Sequence, residues 1–282
     1  MSKYELIALD MDGTLLNSHL EISKKNRDAI RRAGAAGKHV ALCTGRCMSE
    51  IRDLLPLIPE VRYVICENGG CVYDRKYERS LAIDSLPNAE VNNILRLMKH
   101  EHAILQCFHD NQSYVYAPDD RWLEEFHMAD YRESFATSMV YDAYLFDTFE
   151  QRPFTVEKMD LYFTNDADRA RIDNLLSERP LQSIPSMRNL LEIVPLTADK
   201  GRGLERLCAH LGISVAQAIG VGDSLNDAEM LRAAGLGVAM GNACDAIKRL
   251  AGYVTADCDH DGVAQAIDEF LLSDCNDAPN RL

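Results

Sequence analysis

Apolar residues fall along this chain in two rhythms, and the change between them divides it. Leu6-Ile7-Ala8-Leu9 is an unbroken apolar run that stops at Asp10. Such a run, without alternation, is the pattern of a strand buried on both faces of a parallel sheet. His39–Cys43 and Tyr63–Cys66 repeat it and end in Thr44-Gly45-Arg46 and Glu67-Asn68-Gly69-Gly70. Between the first two runs, Ser23 is an N-cap for a helix from Lys24 to Ala36 that Gly37 closes. After the second run a helix from Met48 to Leu55 is expected, halted by Pro56. Strand alternating with helix in this way builds a parallel sheet with helices on both faces.

Near Asp84 the rhythm changes. Asn88 to His100 is patterned as an amphipathic helix, and Ile104–His109 and Ser113–Tyr116 flank Asp110-Asn111-Gln112 as a hairpin. Met159–Thr164 and Leu190–Val194 have the composition of strands, and Asp168–Ser177 that of a helix. The aromatic-rich stretch from Asp119 to Thr155 follows neither period. From Asp199 the first rhythm returns, with helices at Gly201–Leu211, up to Ala234, at Ala243–Leu250 and at Val263–Leu272. Strands are expected between them at Ala218–Val221, Leu236–Met240 and Tyr253–Thr255. The fold class is therefore α/β, a doubly wound, Rossmann-like parallel-sheet core with an inserted α+β cap domain. The core is expected over residues 1–83 and 189–282 and the cap over 84–188.

Composition narrows the function classes. The 282 residues suffice for one large core or two domains, and 47% hydrophobic with 26% charged is an ordinary globular balance. No apolar stretch of 18 residues exists, so no membrane partner is expected. A net charge of −14 argues against a broad nucleic-acid surface. It also means that an anionic ligand must be received by local positive groups, a metal or backbone amides. Nine cysteines contain no Cys-x-x-Cys pair, which excludes zinc-ribbon and thioredoxin chemistry. Their odd number, behind an N-terminal apolar run too short for a signal sequence, fits reduced thiols and a cytoplasmic location.

Four polar clusters fall at strand ends or helix starts: Asp10/Asp12, Thr44-Gly45-Arg46, Lys200, and Asp223 to Asp227. Open α/β sheets bind ligands at the carboxyl ends of their strands. Two carboxylates there repel each other unless a cation lies between them. A hard divalent ion such as Mg²⁺ suits carboxylates together with waters and phosphate oxygens. Phosphoryl transfer needs a nucleophile, a proton donor, a cation and fixed donors around the phosphate. Asp10 can attack phosphorus, as carboxylates do in aspartyl-phosphate chemistry. Asp12 can protonate the leaving alcohol and then activate water. The Thr44 hydroxyl and the Gly45 amide at a helix start form an anion seat. Lys200 brings a point charge and Asp223 a further carboxylate for the cation. Arg46 either binds substrate or holds its loop, and both roles stay open.

With these clusters in hand, Asp10-Met11-Asp12-Gly13-Thr14-Leu15, Thr44-Gly45-Arg46, the lysine of Asp199-Lys200-Gly201 and Gly222-Asp223-Ser224-Leu225-Asn226-Asp227 resemble the motifs of the haloacid dehalogenase superfamily of phosphohydrolases. Their order and the insertion resemble the Cof-type subgroup, mostly phosphatases of sugar phosphates and other small phosphomonoesters. The resemblance spans the whole chain, by motif in the core and only by position and size in the middle third. It implies a Mg²⁺-dependent phosphatase with Asp10 as nucleophile and Asp12 as acid and base. Mg²⁺ would be held by Asp10, the Asp12 backbone carbonyl and Asp223, with Asp227 behind them. Phosphate would be bound by the Met11 main chain, Thr44, Gly45, Lys200 and Asn226. Gly70 and Cys258 depart from the pattern, standing where relatives carry a small residue such as alanine and often asparagine. The second departure touches one polar contact near the site.

The partner expected is a small phosphorylated metabolite. A phosphomutase would share all four clusters. A non-catalytic phospholigand sensor would have no use for both Asp10 and Asp12. A dinucleotide site would need a third glycine after Gly220-Val221-Gly222, and Leu225 stands there. Asp257 to Gly262, with Asp268 at the twelfth position, has the spacing of an EF-hand loop. It follows a strand instead of a helix, however, and an acidic turn is expected. His109, His127 and Trp122 in the insert are expected to pack at a partly buried surface.

Overall fold

The computed structural model describes residues 3–117, 121–129, 132–151, 155–187 and 189–273. These divide into two compact units. One contains the described residues up to Gly45, Leu54–Ala82 and those from Asp199 on; the other contains Arg46–Asp53 and Ile83–Ala198.

The first unit opens with β1 (Leu6–Leu9), β2 (His39–Cys43), β3 (Tyr63–Cys66), β4 (Cys71–Asp74) and β5 (Arg79–Ile83). The second contributes β6 (Ala103–His109), β7 (Gln112–Tyr116), β8 (Met139–Tyr141), β9 (Lys158–Phe163), β10 (Leu181–Met187) and β11 (Leu190–Pro195). The chain returns to the first unit for β12 (Ala218–Gly222), β13 (Leu236–Ala239) and β14 (Tyr253–Val254). The first unit's sheet has the order β14-β13-β12-β1-β2-β3-β4-β5. It is parallel from β14 through β3, and β4 turns back antiparallel on β3.

All four residues of β1 are fully buried, as an unalternating apolar run requires at the centre of a two-faced sheet. The order runs outward from β1 in one direction through β2 and β3, and in the other through β12 to β14. The β1/β12 pair is therefore the topological switch point, where such sheets open a crevice at their carboxyl ends. Leu9 pairs in register with Leu42 of β2 and with Val221 of β12. Asp10, Cys43-Thr44 and Gly222-Asp223 thus leave the sheet at one level. The Ser23 side chain caps helix Lys24–Ala35 by accepting from the Asn26 N–H.

Several elements differ from expectation. The helix after β2 covers only Met48–Ile51, with Arg52 as its C-cap, and Leu55–Leu57 form a 3-10 turn. Pro56 is the reason, because its ring collides with the carbonyl four residues back, that of Arg52. β4 and β5 extend the core sheet where no strand is expected. They are short, β5 is half-exposed along its length, and an edge strand carries no continuous apolar run. β10 also escapes the pattern. It carries Pro185 at a register shift on the edge of its sheet, where proline is tolerated in a strand.

The second unit's sheet has the order β10-β11-β9-β6-β7-β8 and is antiparallel except between β7 and β8. Its first hairpin turns through Asp110 and Asn111, both with positive φ, the form that matches strand twist. Leu105, Cys107, Met159, Leu161, Leu191 and Ile193 line one buried face. The alternate positions, Gln106, Lys158, Asp160 and Glu192, are buried as well. The expected boundary at 188 needs correction, since β11 pairs with β9 and so belongs to this unit. The short segment Arg46–Asp53 belongs here too. Residue 188 itself lies outside the described residues. Trp122 is buried and stacks on Phe135 with ring centroids 5.7 Å apart, a packing residue as expected. His109 is half-buried, but His127 is exposed.

Candidate active site

The site grows from the end of β1. Beyond Leu9 the chain leaves the sheet at Asp10 and winds tightly. The Leu15 N–H donates to the Asp10 carbonyl, and the N–H groups of Thr14 and Leu16 donate to that of Met11. Gly13 makes this winding possible with φ of +76°, and a Cβ there would lie 2.8 Å from Asp223 Oδ2. The Met11 N–H has no acceptor among the described residues. It is left available at the strand end.

Lys200 is the first residue of helix Lys200–Leu211, capped by Asp199, which accepts from the Arg202 N–H. Its side chain is fully buried. Lys200 Nζ donates to Asp10 Oδ1 and to Asp227 Oδ1, each at 2.6 Å. Among the described residues nothing donates to the other oxygen of Asp10, Oδ2. Burial pushes the Asp10 carboxyl well above the usual carboxylate range, Asp227 adds to this, and Lys200 opposes it. Burial alone would lower the Lys200 ammonium, but Asp10 and Asp227 outweigh it and hold the lysine charged.

The loop after β12 brings the remaining acids. Asp227 Oδ2 accepts the N–H groups of Asp223 and Ser224, both at 2.9 Å. With Lys200 on Oδ1, both Asp227 oxygens are engaged. Asp223 Oδ1 accepts from Thr14 Oγ1 at 2.9 Å and Oδ2 from Ser224 Oγ at 3.0 Å. Burial raises the Asp223 carboxyl and Asp227 adds to it, while those two hydroxyls work the other way.

Asp10, Asp223 and Asp227 each offer a carboxylate oxygen, and the three lie within 4.8 Å of one another. Three clustered acids, Asp10 and Asp227 buried and Asp223 half-buried, against one ammonium leave negative charge uncompensated, and hard oxygen donors suit a divalent cation. Lys200 and two main-chain amides already hold Asp227 and two hydroxyls hold Asp223, whereas Asp10 Oδ2 receives no donor among the described residues.

Thr44 is buried at the end of β2, its N–H on the Ile65 carbonyl and its own carbonyl accepting the Asn68 N–H. Asn226 Nδ2 donates to Asn68 Oδ1 at 3.1 Å. Asp10, Met11, Asp12, Thr44, Gly45, Lys200, Asp223, Asn226 and Asp227 all belong to the first unit, whereas Arg46 belongs to the second.

Sequence reasoning gives no role to Thr14, Ser224, Asn68 or Asn242. Asn242 Nδ2 donates to the Gly13 carbonyl at 2.8 Å, and its Oδ1 accepts the Cys258 N–H at 3.0 Å. The contact at position 258 is thus made by the main chain, which accommodates a cysteine there. Neither Thr14 nor Asn68 stands at a strand end, Thr14 being the fifth residue after β1 and Asn68 the second after β3.

The EF-hand spacing is an acidic turn, as expected. Asp257 caps a 3-10 turn over Cys258–His260. Asp259 accepts the Ser18 N–H, and Asp261 accepts from Ser23 Oγ and pairs with Lys25. Asp268 pairs with Arg32. Each carboxylate has its own partner, and the loop converges on no common point.

The family profile of haloacid dehalogenase-like hydrolases matches residues 7–267 of the chain. Phosphatase YwpJ of Bacillus subtilis is 31% identical over 95% of this chain and 100% of its own length. The 5-amino-6-(5-phospho-D-ribitylamino)uracil phosphatase YwtE of the same species is 31% identical over 94% of this chain and 97% of its own. The solved structure of a haloacid dehalogenase-like hydrolase from B. subtilis superposes with a TM-score of 0.84 at 27% identity, covering 94% of this chain and 99% of that one.

Proposed function

The chain belongs to the haloacid dehalogenase-like hydrolase family, and from that premise we propose that it is a Mg²⁺-dependent phosphatase. In this proposal it cleaves small phosphate monoesters, sugar phosphates foremost, through an aspartyl-phosphate on Asp10. The observation that carries it is the asymmetry of Asp10, whose Oδ1 is held by buried Lys200 while Oδ2 has no protein donor among the described residues.

In the proposed cycle Oδ2 of Asp10 attacks phosphorus and the ester oxygen departs, taking a proton from the Asp12 carboxyl. Asp12, now a carboxylate, draws a proton from water as the water oxygen attacks phosphorus, and Asp10 is released. Lys200 serves throughout as fixed positive charge beside the attacking carboxylate. The Met11 and Gly45 amides, the Thr44 hydroxyl and Asn226 would receive the phosphate oxygens. Asp10, the Asp12 carbonyl and Asp223 would hold Mg²⁺, which supplies positive charge against the phosphate dianion.

Support for a sugar-like leaving group comes from the relative named for a phosphoribitylamino compound, a phosphate ester of a polyol chain. A phosphate-release screen over hexose, pentose and polyol phosphates and nucleotides, with Mg²⁺ present, tests the proposal. Turnover of the sugar and polyol phosphates, lost with EDTA and restored by Mg²⁺, is expected. Turnover unaffected by EDTA would overturn the metal assignment, and exclusive hydrolysis of nucleotides would overturn the substrate class.

A further inference from the structure

One buried side chain outside the assigned set touches two of the loops that carry it. After β3 ends at Cys66, Glu67, Asn68 and Gly69 all have positive φ, of +56°, +53° and +92°. This left-handed region is unfavourable for any residue with a Cβ, and least so for asparagine. Two successive non-glycine residues persist there only when their surroundings hold them. The Asn68 N–H donates to the Thr44 carbonyl at 3.1 Å, and the Gly70 N–H closes the turn on the Glu67 carbonyl at 3.0 Å. Gly69 packs so tightly that a Cβ on it would collide with the Asp199 carbonyl, one residue before Lys200.

This brace presents the Asn68 carboxamide, 2% exposed, to two neighbours. On one side a Cβ added to Gly45 would lie 3.1 Å from Asn68 Oδ1, so the carboxamide packs directly against the Gly45 backbone. On the other, Asn68 Oδ1 accepts from Asn226 Nδ2 at 3.1 Å. A primary amide nitrogen carries two hydrogens in the amide plane. Engaging one on Asn68 fixes that plane, decides which end of Asn226 is nitrogen, and sets the direction of the second N–H.

We propose that Asn68 is a positioning residue for phosphate. It holds the Asn226 carboxamide with its N–H, and not its carbonyl oxygen, turned toward the ligand, and it spaces the Asn226 loop from the Thr44-Gly45 loop. The inference rests on Asn226 binding phosphate as proposed above. Without the Asn68 acceptor, the Asn226 amide is free to turn over and offer an oxygen, which repels an anion.

The test is a cycle of variants read by calorimetric titration with inorganic phosphate in the presence of Mg²⁺. In the wild-type background Asn226→Ala is expected to weaken phosphate binding about tenfold, the worth of one oriented hydrogen bond to a charged group. Asn68→Gly accepts the left-handed backbone but lacks the carboxamide. In that background the further cost of Asn226→Ala should fall to about onefold. Asn68→Asp keeps an acceptor for Asn226 Nδ2 and should restore the full cost. That second background also serves if the glycine variant does not fold, because loss of the Asn226 effect there would overturn the inference. So would an undiminished Asn226 effect in the Asn68→Gly background. If Asn226→Ala has no effect even in the wild-type background, the assignment of Asn226 to phosphate falls, and the inference falls with it.

Discussion

Lys200 shows how individual residues divide the work at this site. A fully buried ammonium between two carboxylates 2.6 Å away adds little net stability, because desolvation offsets the attraction. What it supplies is a fixed position: removing one partner would leave an uncompensated buried charge, so the arrangement persists. Asp227 completes that frame. Thr14 does the same for the proposed metal ligand Asp223, through a single hydroxyl at 2.9 Å. Thr14→Val preserves shape and deletes this hydrogen bond. Partners that orient metal ligands are typically worth about 10- to 100-fold in affinity, so Mg²⁺ binding measured by calorimetry should weaken at least about tenfold. Unchanged Mg²⁺ affinity would place the cation away from Asp223. The strand-end acids, the lysine and the second acidic loop are visible in the sequence because each closes an apolar run or opens a helix. Thr14, Asn68 and Asn242 are not, because hydrogen-bonding partners are brought together only by the fold.

Among the elements, the central parallel strands are readable because burial on both faces forces unbroken apolar runs. Strands β4, β5 and β10 are not, since β4 is only four residues long, β5 is a half-exposed edge strand and β10 carries a proline. The second unit's strands alternate, and the alternate face buries charge, which weakens the hydrophobic signal of β9 in particular. At the start of β9, Glu157 donates its N–H to the Phe108 carbonyl and accepts the Asp110 N–H at 3.3 Å. Burial pushes its carboxyl up to about 7 from an ordinary 4.5. The folded protein therefore holds the Glu157 proton in a range where the unfolded chain has released it. This contribution to stability is complete below about 4.5 and is lost as pH rises through about 7. Glu157→Gln removes the titration. Thermal unfolding followed from pH 4.5 to 8 should show a decline in the wild type that is flattened in the variant. Parallel curves for the two proteins would show that Glu157 is not the group responsible.

For the molecule as a whole, the switch point between β1 and β12 explains why distant segments meet. Asp10, Thr44, Lys200 and Asp223 are far apart in the chain, but strands in register and the start of one helix bring them into one unit. The net charge of −14 disfavours an anionic substrate at a distance. In the proposed function, recognition therefore falls to Lys200, the Met11 amide and a cation held by Asp10 and Asp223. No helix among the described residues is long and apolar enough to cross a membrane. Substrate identity is the least legible property, because metal and phosphate chemistry reside in motifs whereas the middle third carries none. The central claim is that Asp10 attacks phosphorus. It is tested most directly by phosphate release from the best substrate of the screen by wild type and Asp10→Asn, with circular dichroism to confirm that both are folded. The account predicts a folded variant whose turnover has fallen by on the order of 10³ or more; a folded variant within tenfold of the wild-type rate would contradict it.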